Sequence, residues 1–279
     1  GARACAAARP SVRPCPRETW ALPPGLPAQQ RGNLFLPYPQ PPAWSQPHPG
    51  PFDVADSWRM LGDAHSNALP LHLQRFESVA GPLPAGFVSA MLQRFAPGDL
   101  FPRISLAAGQ LRLDIRPAPP ARPVTRLTYA QAPDPRSQPL VKGPDFPALA
   151  RYRAEYQDDG ADDTVIVDSS GAMVETTTGA LVAWEEETLI LPTGTALPSI
   201  TLHQVTRRAA ALGIRTETRP LTLELATECP LWFLNSLHGI SPVTELYTPT
   251  GIVYPPCNPH TATWQQWWWD SFHKETARD

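Results

Sequence analysis

The chain has 279 residues, 36 of them proline, with 26 acidic and 23 Lys or Arg side chains, a formal charge of -3 and a pI near 6.2. That length can bury one large core or two moderate ones, and we read two. The mild negative balance offers no broad basic surface, which argues against nucleic acid and anionic membrane as partners.

No apolar run reaches the roughly 18 to 20 residues that cross a bilayer, and the start of the chain shows no apolar leader core, so a soluble, cytoplasmic protein is expected. Cys5, Cys15, Cys229 and Cys257 contain no close pair. They fit neither a disulfide framework nor a zinc site and are expected as reduced thiols.

Residues 1–50 form a Pro-rich lead, expected to be extended and loop-like. Phe52, Val54 and Trp58 then alternate with polar neighbours in FDVADSWRM, which predicts a strand, with Gly62 and Asp63 as a hairpin turn. Pro70 opens a helix over LPLHLQRFESV that places Leu69, His72 and Phe76 on one side, and a second helix is expected over residues 84–94.

Residues 101–116 read as a hairpin turning at Ala108 and Gly109, followed by a short strand, VTRLTYA. The loop over residues 131–139 is rich in Pro, Asp and Ser. It marks the boundary between a small N-terminal domain, residues 51–134, and a C-terminal domain, residues 139–279.

Asp145 is placed to cap a helix running to residue 159, with Phe146, Leu149, Tyr152 and Tyr156 on one face and Gly160 as its stop. Strands are expected at 164–168, 172–175, 179–184 and 187–191, turned by Ser169, Ser170 and Gly171 and by the acidic run 185–187. Ser199 precedes a helix in which Leu202, Val205, Ala209 and Leu212 repeat at helical spacing, with Gly213 as its stop.

A strand at 231–234, a turn at 235–239 and a strand at 243–247 follow. The tail ATWQQWWWDSFHK reads as a helix whose Trp264, Trp267, Trp268 and Phe272 form a stripe, the composition of a core or a subunit interface rather than a ligand cage. Together these elements make an α+β chain.

Lys142 lies on an extended segment ahead of a helix, Glu175 leaves a hairpin, and Ser199 and Thr201 stand at a helix start. Taken singly, a solvated lysine and a surface carboxylate are the commoner meanings of such residues. Their order and wording carry more. The run VKGPDFPALARYRAEYQDDGADDTVIVDSSGAMVETTTGALVAWEEETLILP, then LPSITLHQVTRRAAALGI and WFLNSLHGISPV, resembles the class IV aminotransferases.

These are the fold-type IV pyridoxal-phosphate enzymes, among them branched-chain and D-amino-acid aminotransferases and aminodeoxychorismate lyase. The likeness covers residues 139–247 and, more weakly, DSWRMLGDAHSNALPLHLQRF.

The resemblance implies a two-domain fold like that of D-amino-acid aminotransferase, with a small N-terminal α/β domain and a larger C-terminal domain of mixed sheet. It further implies a homodimer, pyridoxal 5'-phosphate as cofactor, and amino acids with 2-oxo acids as substrates. Lys142 matches the lysine that forms the internal aldimine, which requires desolvation to lower its pKa. Glu175 matches the acid against the pyridine nitrogen. Arg75, in His72-x-x-Arg75, matches the phosphate-gripping arginine, while His72 itself reads as structural.

Ile200 and Thr201, at a helix start, and Ser236 and Leu237, in a turn, match further phosphate or carboxylate donors. Two departures stand out: the family's Gly-Ile-Thr-Arg is Ser199, Ile200, Thr201 and Leu202 here, and its Asn and Tyr after the lysine fall at Asp145 and Pro147.

Arg103, Arg116 and Arg136 are equal candidates for the substrate carboxylate. The expected reaction is transamination, with aminodeoxychorismate lyase activity, releasing pyruvate and 4-aminobenzoate, as the alternative and a non-catalytic homologue as a third reading.

Overall fold

The computed structural model describes residues 18–21 and 51–277. Most of the Pro-rich lead lies outside them, as do Cys5 and Cys15. The chain forms two compact units. Of the described residues, one holds 18–21, 51–120, the short piece 141–144 and 271–277; the other holds 121–140 and 145–270.

In the first unit, Glu18–Ala21 (β1) lies within the segment expected to be loop-like and pairs antiparallel with a later strand. Val54–Ser57 (β2) is followed by the hairpin Met60–Leu61 (β3) and His65–Ser66 (β4), which closes around Gly62 and Asp63 as expected. Leu69–Ala80 (α1) buries Leu69, His72 and Phe76, the face its spacing predicts. The second helix is shorter than expected, Phe87–Leu92 (α2), and Asp99–Leu100 (β5) pairs with β3.

Arg103–Ala107 (β6) and Gln110–Ile115 (β7) form the expected hairpin, with Ala108 and Gly109 both at positive φ, the geometry a two-residue hairpin turn demands. The first sheet has the order β1-β7-β6-β2, all antiparallel, so β2 is an edge strand. Trp58, Phe76, Met91, Ile104 and Leu113 are among the side chains of its core.

In the second unit, Thr125–Tyr129 (β8), read from the sequence as the end of an N-terminal domain, is an interior strand of a large sheet. Phe146–Tyr156 (α3) leads to Asp163–Val167 (β9), Met173–Thr176 (β10), Ala180–Glu185 (β11) and Thr188–Leu191 (β12), close to the expected strands. Ile200–Ala211 (α4) begins at Ser199, whose hydroxyl accepts from Leu202 N–H at 3.1 Å.

Thr216–Thr218 (β13) and Leu223–Glu228 (α5) are short elements that the sequence pattern did not reveal. Leu231–Asn235 (β14), Gly239–Thr248 (β15) and Gly251–Val253 (β16) complete a nine-stranded mixed sheet of order β10-β9-β8-β15-β14-β11-β12-β13, with β16 on β15. Thr261–Asp270 (α6) packs on β15 and buries Trp264 and Trp268, which are core in this unit, whereas Trp267 is only partly buried and Phe272 lies beyond the helix. His273–Lys274 (β17) then pairs with β4 of the first unit's second sheet.

Several details correct the sequence reading. The α3 helix stops at Tyr156 with Gln157 as its cap, before Gly160; Asp145 stands at its N-cap, but its side chain accepts no capping hydrogen bond. Leu212, expected on the apolar face of α4, is exposed, while Ile200 and Thr201 are buried in its place. Cys229 is free and buried, but Cys257 is disulfide-bonded rather than a reduced thiol. Among the described residues no helix is long and apolar enough to cross a membrane.

Gly239 opens β15 at φ +68, where a Cβ would lie 2.4 Å from Cε3 of the buried Trp268. Gly213 has a similar φ of +71 but open space around it. Gly239→Ala should therefore lower the unfolding free energy by about 2 to 4 kcal/mol, combining overpacking with left-handed strain, and Gly213→Ala by only about 1 to 2 kcal/mol. Denaturant midpoints measure both, and equal losses would show that Trp268 does not pack on Gly239.

Candidate functional site

The segment carrying Lys142 belongs to the first unit and docks on the open edge of β2, where Ala55 N–H donates to Lys142 O at 2.8 Å. The approach is close enough to require the next residue to be glycine. Gly143 has φ +125, and a Cβ there would lie 3.0 Å from Ala55 N and 3.1 Å from Phe52 Cβ. Part of the Lys142 surface stays accessible, yet protein surrounds its amine densely enough to desolvate it. That desolvation, then the like charge of Arg75, pushes the Lys142 pKa down to about 8; Asp56 opposes the shift, and Arg116 and Arg103 add to it. The chain's other lysine, Lys274, is half-exposed and pairs with Asp63.

Asp56, on β2, is fully buried. Its Oδ1 accepts from His72 Nδ1 at 2.6 Å, Arg75 Nη2 at 2.9 Å and its neighbour Ser57 N–H at 3.0 Å, while Oδ2 accepts from Arg75 Nε at 2.9 Å. Burial alone would push this carboxyl up, but Arg75 and His72, aided by Lys142, outweigh it and hold Asp56 well below the usual carboxylate range. Burial pushes the His72 imidazole down despite Asp56, which keeps the ring on the neutral side with its Nδ1 proton given to the carboxylate.

Glu175 belongs to the second unit, on β10, where the pairing with β9 shifts register between Met173 and Glu175. Its Oε2 accepts from Leu197 N–H at 2.7 Å and lies 3.3 Å from Arg136 Nη1. Burial raises its pKa to about 7 against the pull of Leu197 N–H and Arg136. Arg136 also donates to both oxygens of Asp134 and to Thr195 O, so this candidate for the substrate carboxylate is engaged with the Glu175 group.

Just beyond Glu175, the buried Asp163 carboxylate accepts from the hydroxyls of Thr176, Thr177 and Thr178 and from the Thr178 N–H, which fixes the turn after β10. Neither Asp56 nor Asp163 was selected from the sequence. Asp56 left a trace there: it shares strand parity with Val54 and Trp58, an acid on an otherwise apolar face.

Ile200 and Thr201 form the first turn of α4, both buried, and Thr201 Oγ1 has no hydrogen-bond partner among the described residues. Ser236 and Leu237 sit in the 235–239 turn, where Asn235 Oδ1 already accepts from Leu237 N–H at 3.1 Å and His238 N–H at 2.8 Å. Asp145 accepts from Ser137 N–H, Ser137 Oγ and Gln138 N–H, and so anchors the loop before the lysine segment.

Arg103 pairs with Asp114 at 3.6 Å and stacks over Phe52, and Arg116 donates to Phe101 O and Ser57 Oγ and stacks over Phe101. The first unit thus gathers Lys142, Arg75, Arg103 and Arg116, and the second gathers Glu175 with Arg136.

The Glu175 shift has a defined sign. Its carboxyl titrates near 7 when folded and near 4.5 otherwise, so its stabilising effect is full below about 4.5 and is lost as pH rises through about 7. The cofactor-free chain should lose up to about 3 kcal/mol of unfolding free energy across that window. Glu175→Gln should remove the decline, as read by denaturant titrations at several pH values. A decline of the same size in the Gln chain would assign it to another group.

The chain matches the family described as class IV amino-transferase over residues 105–246, just over half of its length. No curated protein sequence matches it. Similar solved structures include an aminotransferase from Brucella abortus bound to PLP, 18% identical with a TM-score of 0.67, covering 91% of this chain and 98% of that one. The branched-chain amino acid aminotransferase from Escherichia coli is 18% identical with a TM-score of 0.63, covering 80% and 87%.

The 4-amino-4-deoxychorismate lyase from Pseudomonas aeruginosa is 21% identical with a TM-score of 0.61, covering 78% and 90%. At such identities the structural likeness speaks for the fold alone, and it agrees with the fold-type IV architecture expected from the sequence. With the family match over residues 105–246, this chain belongs to the class IV aminotransferases.

Proposed function

We propose that the chain is a pyridoxal 5'-phosphate-dependent aminotransferase that moves an amino group between an amino acid and a 2-oxo acid, with Lys142 as the amine that holds the cofactor. The observation that carries this is the Lys142 amine itself, desolvated to a pKa of about 8 and registered by a backbone hydrogen bond to an edge strand. An amine must be neutral to attack an aldehyde, and this one is neutral in a useful fraction near physiological pH.

The residues present fit such a cofactor. The desolvated Glu175 carboxyl, raised to about 7 and lying 3.3 Å from Arg136, is an acid that a cationic partner such as a protonated ring nitrogen would favour in its charged form. The buried Thr201 hydroxyl at the start of α4, without a hydrogen-bond partner among the described residues, is of the kind that a phosphate oxygen would satisfy.

When bound, the cofactor supplies an aldehyde and an electron-withdrawing ring. Lys142 would hold that aldehyde and, once displaced, carry the proton at the substrate alpha carbon. Glu175 would keep the ring nitrogen protonated, while Arg75, Ile200, Thr201, Ser236 and Leu237 would hold the phosphate. For Arg75 and Leu237 this means sharing donors with Asp56 and Asn235. A homodimer is part of the same reading, on the family resemblance.

A transaminase stops after half a reaction when no acceptor is present. Mixing the loaded enzyme with an amino donor alone should abolish its visible absorbance and leave 2-oxo acid in one-to-one amount with sites, for at least one amino acid in a panel of L and D forms. Sustained pyruvate release from aminodeoxychorismate, with the visible band retained across that panel, would replace this reading with the lyase.

A further inference from the structure

The charged groups around Lys142 come from three places in the first unit. Arg75 is on α1, Arg103 and Arg116 are on and just after the β6-β7 hairpin, and Asp56 is on β2. Three of these four carry positive charge. Arg103 is itself paired with Asp114. The Asp56 carboxylate has no contact with water, and a lone carboxylate there would cost several kcal/mol. Its burial is tolerated because Arg75 gives two hydrogen bonds, His72 one and Ser57 N–H one.

His72 and Arg75 are three residues apart, which places both on the face of α1 that meets β2. The residue next to Asp56, Ala55, holds the Lys142 backbone. One four-residue strand therefore sets both where the lysine segment lies and which charges stand near its amine.

We propose that Asp56 is the positioning residue of the Lys142 site: its buried carboxylate fixes the Arg75 guanidinium and the His72 imidazole in one arrangement and supplies the anion that offsets the cations gathered around the lysine amine. This rests on the reading of Lys142 as the cofactor-bearing residue. Asp56 acts through Arg75 and Lys142 and touches no reacting atom. Removing its charge would weaken the two hydrogen bonds that Arg75 gives it and take away the one anion among the charges that act most strongly on Lys142. Removing Arg75 would leave Asp56 to favour the charged amine. The two partners of a single ion pair thus push Lys142 in opposite directions, which a purely structural role would not do.

The test uses the full chain freed of cofactor, so it stands apart from the identity of the reaction. Trace acetylation with acetic anhydride across pH 6 to 11 (a range chosen to bracket the lysine values of roughly 8 and 10.5) reads the Lys142 titration by peptide mass, with half-exposed Lys274 as internal reference. In chains shown to be folded by circular dichroism, Asp56→Asn should shift the Lys142 midpoint downward and Arg75→Met should shift it upward, with Lys274 unmoved in both. If the Asn chain does not fold, the Arg75→Met shift alone decides. A Lys142 midpoint that stays in place in either folded variant, or that rises in Asp56→Asn, would overturn the proposal.

Discussion

A carboxylate sealed from water survives in a fold only if its partners are held as firmly as it is, and Asp56 imposes that condition on the first unit. Its two oxygens take four hydrogen bonds from Arg75, His72 and Ser57. Breaking a buried pair by removing one partner costs about 3 to 5 kcal/mol, because the other charge is left behind. The sheet, the α1 helix and the edge that receives Lys142 are therefore tied to one point. Gly143 completes that tie, since only a residue without Cβ lets the lysine segment approach Ala55 so closely.

The second unit solves a similar problem with hydroxyls. Asp163 is as buried as Asp56 but is satisfied by the hydroxyls of three consecutive threonines and by the backbone N–H groups of Thr164 and Thr178. This fixes the turn that follows Glu175, and Arg136 with Leu197 N–H fixes the Glu175 carboxyl from the other side. The two acids therefore differ in use. Asp56 is kept charged by strong neighbours, whereas Glu175 is only partly compensated and sits near its titration midpoint at neutral pH.

Elements whose pattern is local were legible in the sequence. The β6-β7 hairpin followed from alternation around Ala108 and Gly109, and α1 from the spacing of Leu69, His72 and Phe76. The family could be recognised from ordered landmarks around Lys142 and Glu175. What escaped depends on contacts distant in sequence or on identical chemistry serving different ends. Asp145 stands at the helix N-cap as its position suggests, yet its carboxylate anchors residues 137 and 138, because both uses need the same short acceptor.

Arg136 was one of three equal candidates for a substrate carboxylate, and only the fold puts it on Glu175, 39 residues away along the chain. Asp56 was not singled out because alternation says which face a side chain takes and not what partners meet it there. The short β13 and α5 have too few residues for a period to show.

The central claim is that the buried charges of the first unit make Lys142 the amine that holds an aldehyde cofactor. Reduction with borohydride of the protein loaded with pyridoxal 5'-phosphate, followed by peptide mapping, tests it most directly, because the chain has only two lysines. The cofactor mass should appear on the peptide carrying Lys142 and leave Lys274 unlabelled. Label on Lys274, or no stable label on either, would contradict it.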